Sequence, residues 1–563
     1  MMVSVPLRIA ARWRVPKQVA LLFLTFAACI CVLLRYQLAN KFTTLHGDRY
    51  DMVIVVTILE HWYHVFRGEA QWTQVAYFFP YGRTIAQTDA YFLVGVAYFP
   101  FRALGLDPFL ATELSGVILK AVGFFGAWWM ARRVFALPFS WALLVAAMFT
   151  LSNAMTVHGQ RLQLATVALT PVVGTMVWIA VKAFLTSDGQ RLRWFGAGAG
   201  VLLGMWCLTC FYMAWFFSFF LTILLIVVVA FGGHDGLKLL GQAFRKHYLS
   251  LALVLIVTAV AMAPFIYAFL PKSMEVGVRS YETVAPNTIP LQNVLQVGHE
   301  NLLFGPIYNA IISYIFPNYR PNGEYYNTGV TPIVFFLFAC GVGALLLRRD
   351  WSSRDLLAPA VVIAALIAWG LALNVGGHSA WYFVYQWFPG AQALNVVSAL
   401  QILLALPVMV IAVQFLSKTE ASRPILVLIV GLLLAGELNK SHQALDRNAE
   451  IERIRLAEQP PPACKAFYVS GWNGQDDIPG FPAAINNLYA HNVSAMLIAQ
   501  LVGISTLNGI ASFNPKDWDF GHPNGANYDD RMRAYARKHG VESVCKLNLN
   551  TKSWSLTEDY AKH

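Results

Sequence analysis

The sequence predicts an α-helical polytopic membrane protein with a small α/β domain at its C-terminal end. Three observations carry that reading. Hydrophobic residues make up 57% of the 563-residue chain and charged ones only 13%, a balance outside that of ordinary soluble proteins. Apolar stretches of about 20 residues, the length that crosses roughly 30 Å of hydrocarbon, recur over the first 440 positions. After Lys440 they stop, and helical and strand-like patterns alternate, as in a compact α/β unit. The formal charge of +11 is no nucleic-acid signal, because much of the Lys and Arg lies in short loops between spans, where it sets orientation.

Arg8, Arg12, Arg14 and Lys17 precede the first apolar run, 19–38, so the N-terminus is expected in the cytoplasm. No small-residue cleavage site follows, which predicts a permanent helix. Further spans are expected at 111–130, 139–151 and 164–184. Residues 195–231 carry cations at both ends, and an even number of crossings keeps those cations on one side, so two helices with a turn near Cys210 are expected there. Spans at 249–269, 329–347, 356–373, 396–416 and 425–438 complete about eleven in all, tail outside. Residues 90–106, broken by Pro100 and closed by Arg102 and Asp107, read as an interfacial or re-entrant helix. The expected division is a transmembrane domain 1–440, with outer loops 41–107 and 271–328, and an extracytoplasmic α/β domain 441–563.

In the tail, strands are expected at 465–469 and 541–547 and helices at 446–458, 494–502 and 528–539. Cys464 and Cys545 would lie on adjacent strands, free to pair or not. The other five cysteines fall in apolar segments and read as small hydrophobes, the Cys207/Cys210 pair included. Trp472, Trp518 and Tyr528 are candidate sugar-stacking surfaces, or simply part of a cap on the bundle.

The chemistry concentrates just after the first span, in Leu45-His46-Gly47-Asp48-Arg49-Tyr50-Asp51. Asp48 lands at the outer hydrocarbon boundary, where an enzyme using lipid-carried substrates would place a base; it also suits a helix N-cap. Asp51 shares its face if residues 47–68 are helical. Glu60, His61 and His64 have helical spacing for a metal but equally for an ordinary polar face. Asp89 is a second acidic candidate or a cap, and His158 and Arg161 fall at the outer end of a span. Arg83 suits a bidentate phosphate clamp or a snorkelling side chain. Arg279 and Glu324 belong to the second outer loop.

The acidic loop, the Phe79-Pro80-Tyr81-Gly82 turn, the helix ending at Pro108 and Arg132-Arg133 together resemble the membrane-integral GT-C glycosyltransferases. The likeness continues through Phe211-Tyr212, the Arg279–Glu282 loop, Glu324-Tyr325-Tyr326-Asn327-Thr328-Gly329, Trp387-Phe388-Pro389-Gly390 and the tail run from Ala495 to Gly509. It implies inverting transfer of a sugar from a polyprenyl-phosphate donor to a glycan, lipid or protein acceptor on the outer face of a bacterial inner membrane. Asp48 would be the base, with Asp51, Asp89, His158 and Glu324 in support and Arg83, Arg161 and Arg279 on the donor phosphate. The loop lacks a tight Asp-x-Asp or Glu-x-Asp, and Leu394-Asn395-Val396-Val397-Ser398 stands where relatives often carry arginines. No metal or cofactor is therefore expected. A transporter or flippase of lipid-linked sugars is the alternative, although Glu113 and Lys120 are nearly the only charges inside the spans. A non-catalytic accessory protein of envelope glycan assembly is another.

Overall fold

The computed structural model describes residues 7–159, 161–320, 325–347, 356–440, 443–472, 474, 477–478 and 481–556, with side chains from residue 17 onward. Six helices among these are long and apolar enough to cross a membrane: Pro108–Arg133, Phe139–Thr156, Leu162–Leu185, Gly189–Thr209, Phe211–Val276 and Val397–Leu416. Lys17–Leu33, Phe92–Ala103, Pro332–Leu346, Leu357–Ala372 and Arg423–Gly436 are shorter apolar helices. Leu400–Leu416 and Phe139–Leu151, apolar on every side, are buried along almost their whole length, as helices hydrophobic all round must be.

The turn expected near Cys210 is present. Gly189–Thr209 ends where Cys210 becomes extended (φ −149°, ψ 105°) and Phe211 starts the next helix. Trp206 then meets Phe217 at 5.4 Å across the hairpin. The 66-residue run Phe211–Val276 is no single rod, since Gly233 (φ 53°, ψ −148°) and His247 leave helical geometry. A Cβ built on Gly196, Gly200 or Gly204 would meet Val254, Thr258 or Ala261 respectively. Numbers rise together on both sides, so residues 249–276 lie parallel to Gly189–Thr209 and the chain must first run back along 211–232. The glycines recur every fourth residue, the spacing that lets two helix backbones approach closely.

Asp107 sets the start of Pro108–Arg133. One carboxylate oxygen accepts from the N–H groups of Phe109 and Leu110, both at 3.2 Å, and Pro108 occupies the first turn. Its other oxygen takes the Arg447 guanidinium, Nε at 2.9 Å. Such contacts join the tail to the first loop. Thr44–His46 pairs antiparallel with Ala444–Asp446, and the N–H groups of Phe78 and Phe79 donate to the Asn508 and Thr506 carbonyls at 3.1 and 3.0 Å.

The tail is α/β as expected. Its four-stranded sheet runs Ser505–Thr506, Ala466–Ser470, Val544–Asn548, Trp554–Leu556, the first three parallel and the last antiparallel. Ala466–Ser470 is buried throughout, which suits a central parallel strand. Ala483–Val502 is one helix, longer than the expected 494–502. Its first half carries Asn486, His491 and Asn492, which are buried but bonded: Asn486 accepts from the Ile478 N–H, and His491 and Asn492 reach the Phe520 carbonyl. Trp472 and Tyr528 are 6% and 2% exposed, so they fill the core and offer no stacking surface. Trp518 packs edge-on against Phe78.

Cys464 and Cys545 form a disulfide between positions 81 residues apart. Closing so long a loop restricts the unfolded chain, and the Cys464→Ala/Cys545→Ala pair is expected to destabilise the tail by about 2–4 kcal/mol. Limited proteolysis with and without reductant checks this, and equal resistance in both conditions would show that the bond contributes nothing.

Candidate active site

The loop after the first helix turns at Gly47 (φ 133°), a backbone region that glycine enters without strain. Asp48 then takes the N–H groups of Tyr50 and Asp51 on one oxygen, Oδ1, each at 2.8 Å. It therefore caps the helix Asp51–Phe66 from just outside it. Among the described residues its Oδ2 has no hydrogen bond. The capping and chemical readings of Asp48 are thus compatible, one oxygen serving each.

Asp51 heads the same helix and accepts from Arg161 Nε at 2.7 Å. The Arg161 guanidinium stacks over the Tyr325 ring at 4.8 Å. His158 Nε2 bonds Asn327 Oδ1 at 2.8 Å and meets the edge of Tyr325. The segment carrying His158 and Arg161 is fixed by a buried acid: Glu437 accepts from the Asn153 N–H at 2.8 Å and from Thr331 Oγ1 at 2.9 Å. Behind Asp48, Arg49 is buried and reaches Ser494 Oγ at 2.6 Å, and the Tyr50 hydroxyl bonds Asn486.

Some of these groups line one cleft of about 600 Å³, within the usual range for small-molecule sites. Asp48, Asp51, His158 and Arg161 face it, with His46, His299, Glu300, Asn327 and Gln443. Phe481, Ile485 and Tyr489 of the tail form an apolar side. Burial, reinforced by the Asp51 carboxylate and opposed by the two N–H bonds and Arg161, pushes the Asp48 carboxyl up to about 6. Burial, helped by the Arg161 charge, pushes His158 down to about 3, so it is neutral near pH 7. The cleft can thus offer an ionised carboxylate able to take a proton, a guanidinium for an anion, and neutral hydrogen-bonding groups.

Of the other expected residues, Asp89, Arg83 and Arg279 do not line this cleft. Asp89 accepts from the Phe211 N–H at 3.3 Å, and burial pushes its carboxyl up to about 7. Arg83 stacks on Tyr267 at 5.1 Å. Arg279 stacks on Phe513 at 4.5 Å and donates to the Ser512 carbonyl. Glu324 lies outside the described residues. Glu60, His61 and His64 face separate partners, namely Arg102 with Tyr98, the Trp72 carbonyl, and Glu69. Among the described residues no three His, Cys, Asp or Glu side chains are placed to hold a metal ion.

Sequence reasoning missed His46, His299, Glu300 and Gln443. His46 stood within the acidic loop itself, and its neighbour Asp48 drew the attention; it hydrogen-bonds Glu113, Nδ1 to Oε1 at 2.7 Å. His299-Glu300 carries no motif, and only the fold brings it to the cleft.

No family model matches the chain, and no curated protein matches it. Among solved structures, the arabinofuranosyltransferase AftD from mycobacteria aligns with TM-score 0.51 and 13% identity. The alignment covers 94% of this chain but only 35% of AftD. The Archaeoglobus fulgidus oligosaccharyltransferase in its apo form aligns over 94% of this chain and 69% of its own, with TM-score 0.49 and 13% identity. At such identity the likeness concerns the course of the chain. In that course the protein shares the fold of the AftD structure.

Proposed function

We propose that this chain is an inverting glycosyltransferase that moves a sugar from a polyprenyl-phosphate donor to a glycan, lipid or protein acceptor outside the cytoplasm. The observation that carries the reading is the cleft, where a carboxylate with one uncommitted oxygen lies beside an arginine that can meet a phosphate. Asp48 takes the acceptor hydroxyl proton as general base. The acceptor oxygen bonds the anomeric carbon as its bond to the phosphate oxygen breaks, with inversion. The electron pair leaves on the lipid phosphate, whose charge Arg161 answers. Asp51 holds that arginine in place, and His158 with Asn327 offers hydrogen bonds to sugar hydroxyls. Asp89, Arg83 and Arg279 stand away from the cleft, where they would act on the donor only at a distance from Asp48.

Charge and redox chemistry support the outward orientation. Lys238, Arg245 and Lys246 lie between the two segments of Phe211–Val276, and cations of this kind mark cytoplasmic loops. Thr209 and Phe211, at the other end of that hairpin, bond the first loop. A disulfide in the tail suits an oxidising compartment. About eleven spans, a cytoplasmic N-terminus and a periplasmic tail domain in a bacterial inner membrane fit both.

Membranes holding the protein, given radiolabelled polyprenyl-phosphate sugars, are expected to pass label into a lipid, glycan or protein fraction. If no donor yields transfer, yet reconstituted liposomes flip a lipid-linked sugar, the transporter reading replaces this one.

A further inference from the structure

The helix Phe304–Ile315, in the second outer loop, wears its apolar side outward. Ile307, Ile311 and Ile315 are each half exposed or more, and Tyr314 is 88% exposed. Their spacing puts all four on one face. The polar groups turn the other way. Tyr308 donates its hydroxyl to the Gln292 carbonyl, and Asn309 Oδ1 accepts from Gln296 Nε2 at 3.1 Å. A helix on a soluble protein places its apolar stripe inward and its polar groups in water. This one reverses that order, and an exposed apolar patch marks a contact with protein or membrane.

The surroundings decide between the two. Just before the helix, the Asn301 side chain donates to the Gly436 carbonyl at 2.7 Å, and the Leu302 N–H to the Leu438 carbonyl at 2.7 Å. Phe304 then lies against Gly436: a Cβ there would meet Phe304 Cε2 at 2.8 Å and Ile333 Cγ2 at 3.8 Å. The helix therefore starts where Arg423–Gly436 ends and Pro332–Leu346 begins. Arg423–Gly436 turns Ile425, Val427 and Leu428 outward, each more than half exposed, as a lipid-facing helix does. Its 14 residues rise about 21 Å, short of the roughly 30 Å of hydrocarbon. The 15 residues of Pro332–Leu346 rise about 22 Å. Chain next to ends so short meets acyl chains, or a bilayer thinned to match. An outward stripe of isoleucines suits either.

We infer that Phe304–Ile315 is an interfacial helix, with Ile307, Ile311 and Ile315 in the acyl region of the leaflet on the cleft side. The Tyr314 hydroxyl reaches the headgroups from that stripe. The occupant of this face is the phospholipid bilayer, continuous with the lipid around Arg423–Gly436. His299-Glu300, which leads into the helix, lines the cleft, so the membrane surface holds one edge of the site. Such an anchor would serve a transferase or a flippase alike.

The test places the photoreactive residue benzoylphenylalanine singly at position 307, 311 or 314 of the full chain. The protein is held in nanodiscs of phosphatidylethanolamine and phosphatidylglycerol, and its mass is read after irradiation. An added phospholipid mass is expected at all three positions. Position 282, where Glu282 is exposed and charged in the same loop, should give none. Ile307→Asp combined with Ile311→Asp should cut the adduct at position 314 about ten-fold or more, because carboxylates are costly among acyl chains. The adducts on the otherwise unaltered chain stand as evidence even if that variant does not fold. A protein adduct at position 311, with a second copy or another chain, overturns the inference. So does the absence of phospholipid adducts at all three positions, or an equal yield at position 282.

Discussion

Asp48→Asn is expected to lower sugar transfer by about 10²–10⁴-fold, the usual contribution of a positioned general base, with the fold intact. Asparagine keeps the oxygen that accepts from Tyr50 and Asp51, so the cap survives while the proton acceptor is lost. Arg161 stays on Asp51, so the phosphate contact is untouched and the loss should appear in kcat more than in KM. The pH profile provides a second signature. With the Asp48 carboxyl pushed up to about 6, its ionised form is lost as pH falls through that value. Wild-type rate should therefore drop along an acid limb near pH 6, about ten-fold per unit below it, and the residual rate of the variant should lack that limb. Equal transfer by both proteins would remove Asp48 from the mechanism.

The second large effect concerns stability. Gly204→Ala places a Cβ 2.6 Å from the carbonyl carbon and oxygen of Ala261, backbone atoms that cannot step aside. Overpacking of this kind costs about 1–3 kcal/mol, occasionally more, and here it pries apart two helices rather than two side chains. Gly198→Ala is the internal comparison on the same helix. Its Cβ would meet only Met176 Cε, at 2.4 Å, the far end of a flexible side chain. Denaturant titration in detergent should show Gly204→Ala unfolding clearly earlier than wild type and Gly198→Ala within about 0.5 kcal/mol of it, as for a tolerated substitution. Similar midpoints for the two variants would mean that the close helix contact does not form.

The bundle was legible because crossing a bilayer demands length and apolarity, and loop cations report the folding back of the chain. That reasoning placed the hairpin near Cys210 from Arg191 and Arg193 on one side and Lys238, Arg245 and Lys246 on the other. The strands Ala466–Ser470 and Val544–Asn548 were legible from short strand-like runs, whereas the pairing of Cys464 with Cys545 was left open. The glycine seam was not read, because Gly196, Gly200 and Gly204 lie in a run already explained by its apolarity. The first half of Ala483–Val502 was hidden because its asparagines and histidine look like loop residues until partners such as the Phe520 carbonyl are supplied. In the site, Asp48 was found by position, but its grouping with Arg161, Asn327 and Glu300 depends on contacts between distant segments that no local pattern records. Arg83 and Arg279 carried the right chemistry for a phosphate, yet stacking on Tyr267 and Phe513 drew both away.

The clamp between the two ends of the chain imposes an order of assembly. Tyr50 reaches Asn486 across 436 residues of sequence, and Arg49 reaches Ser494 across 445. Contacts of such separation form late, because loop closure must be met before they return any stabilisation. A chain emerging from synthesis can insert its helices one by one, yet the Tyr50–Asn486 and Arg49–Ser494 contacts must wait for the tail. Phe481, Ile485 and Tyr489 line the cleft beside Asp48, so one side of its surroundings is supplied by a segment made more than 400 residues later.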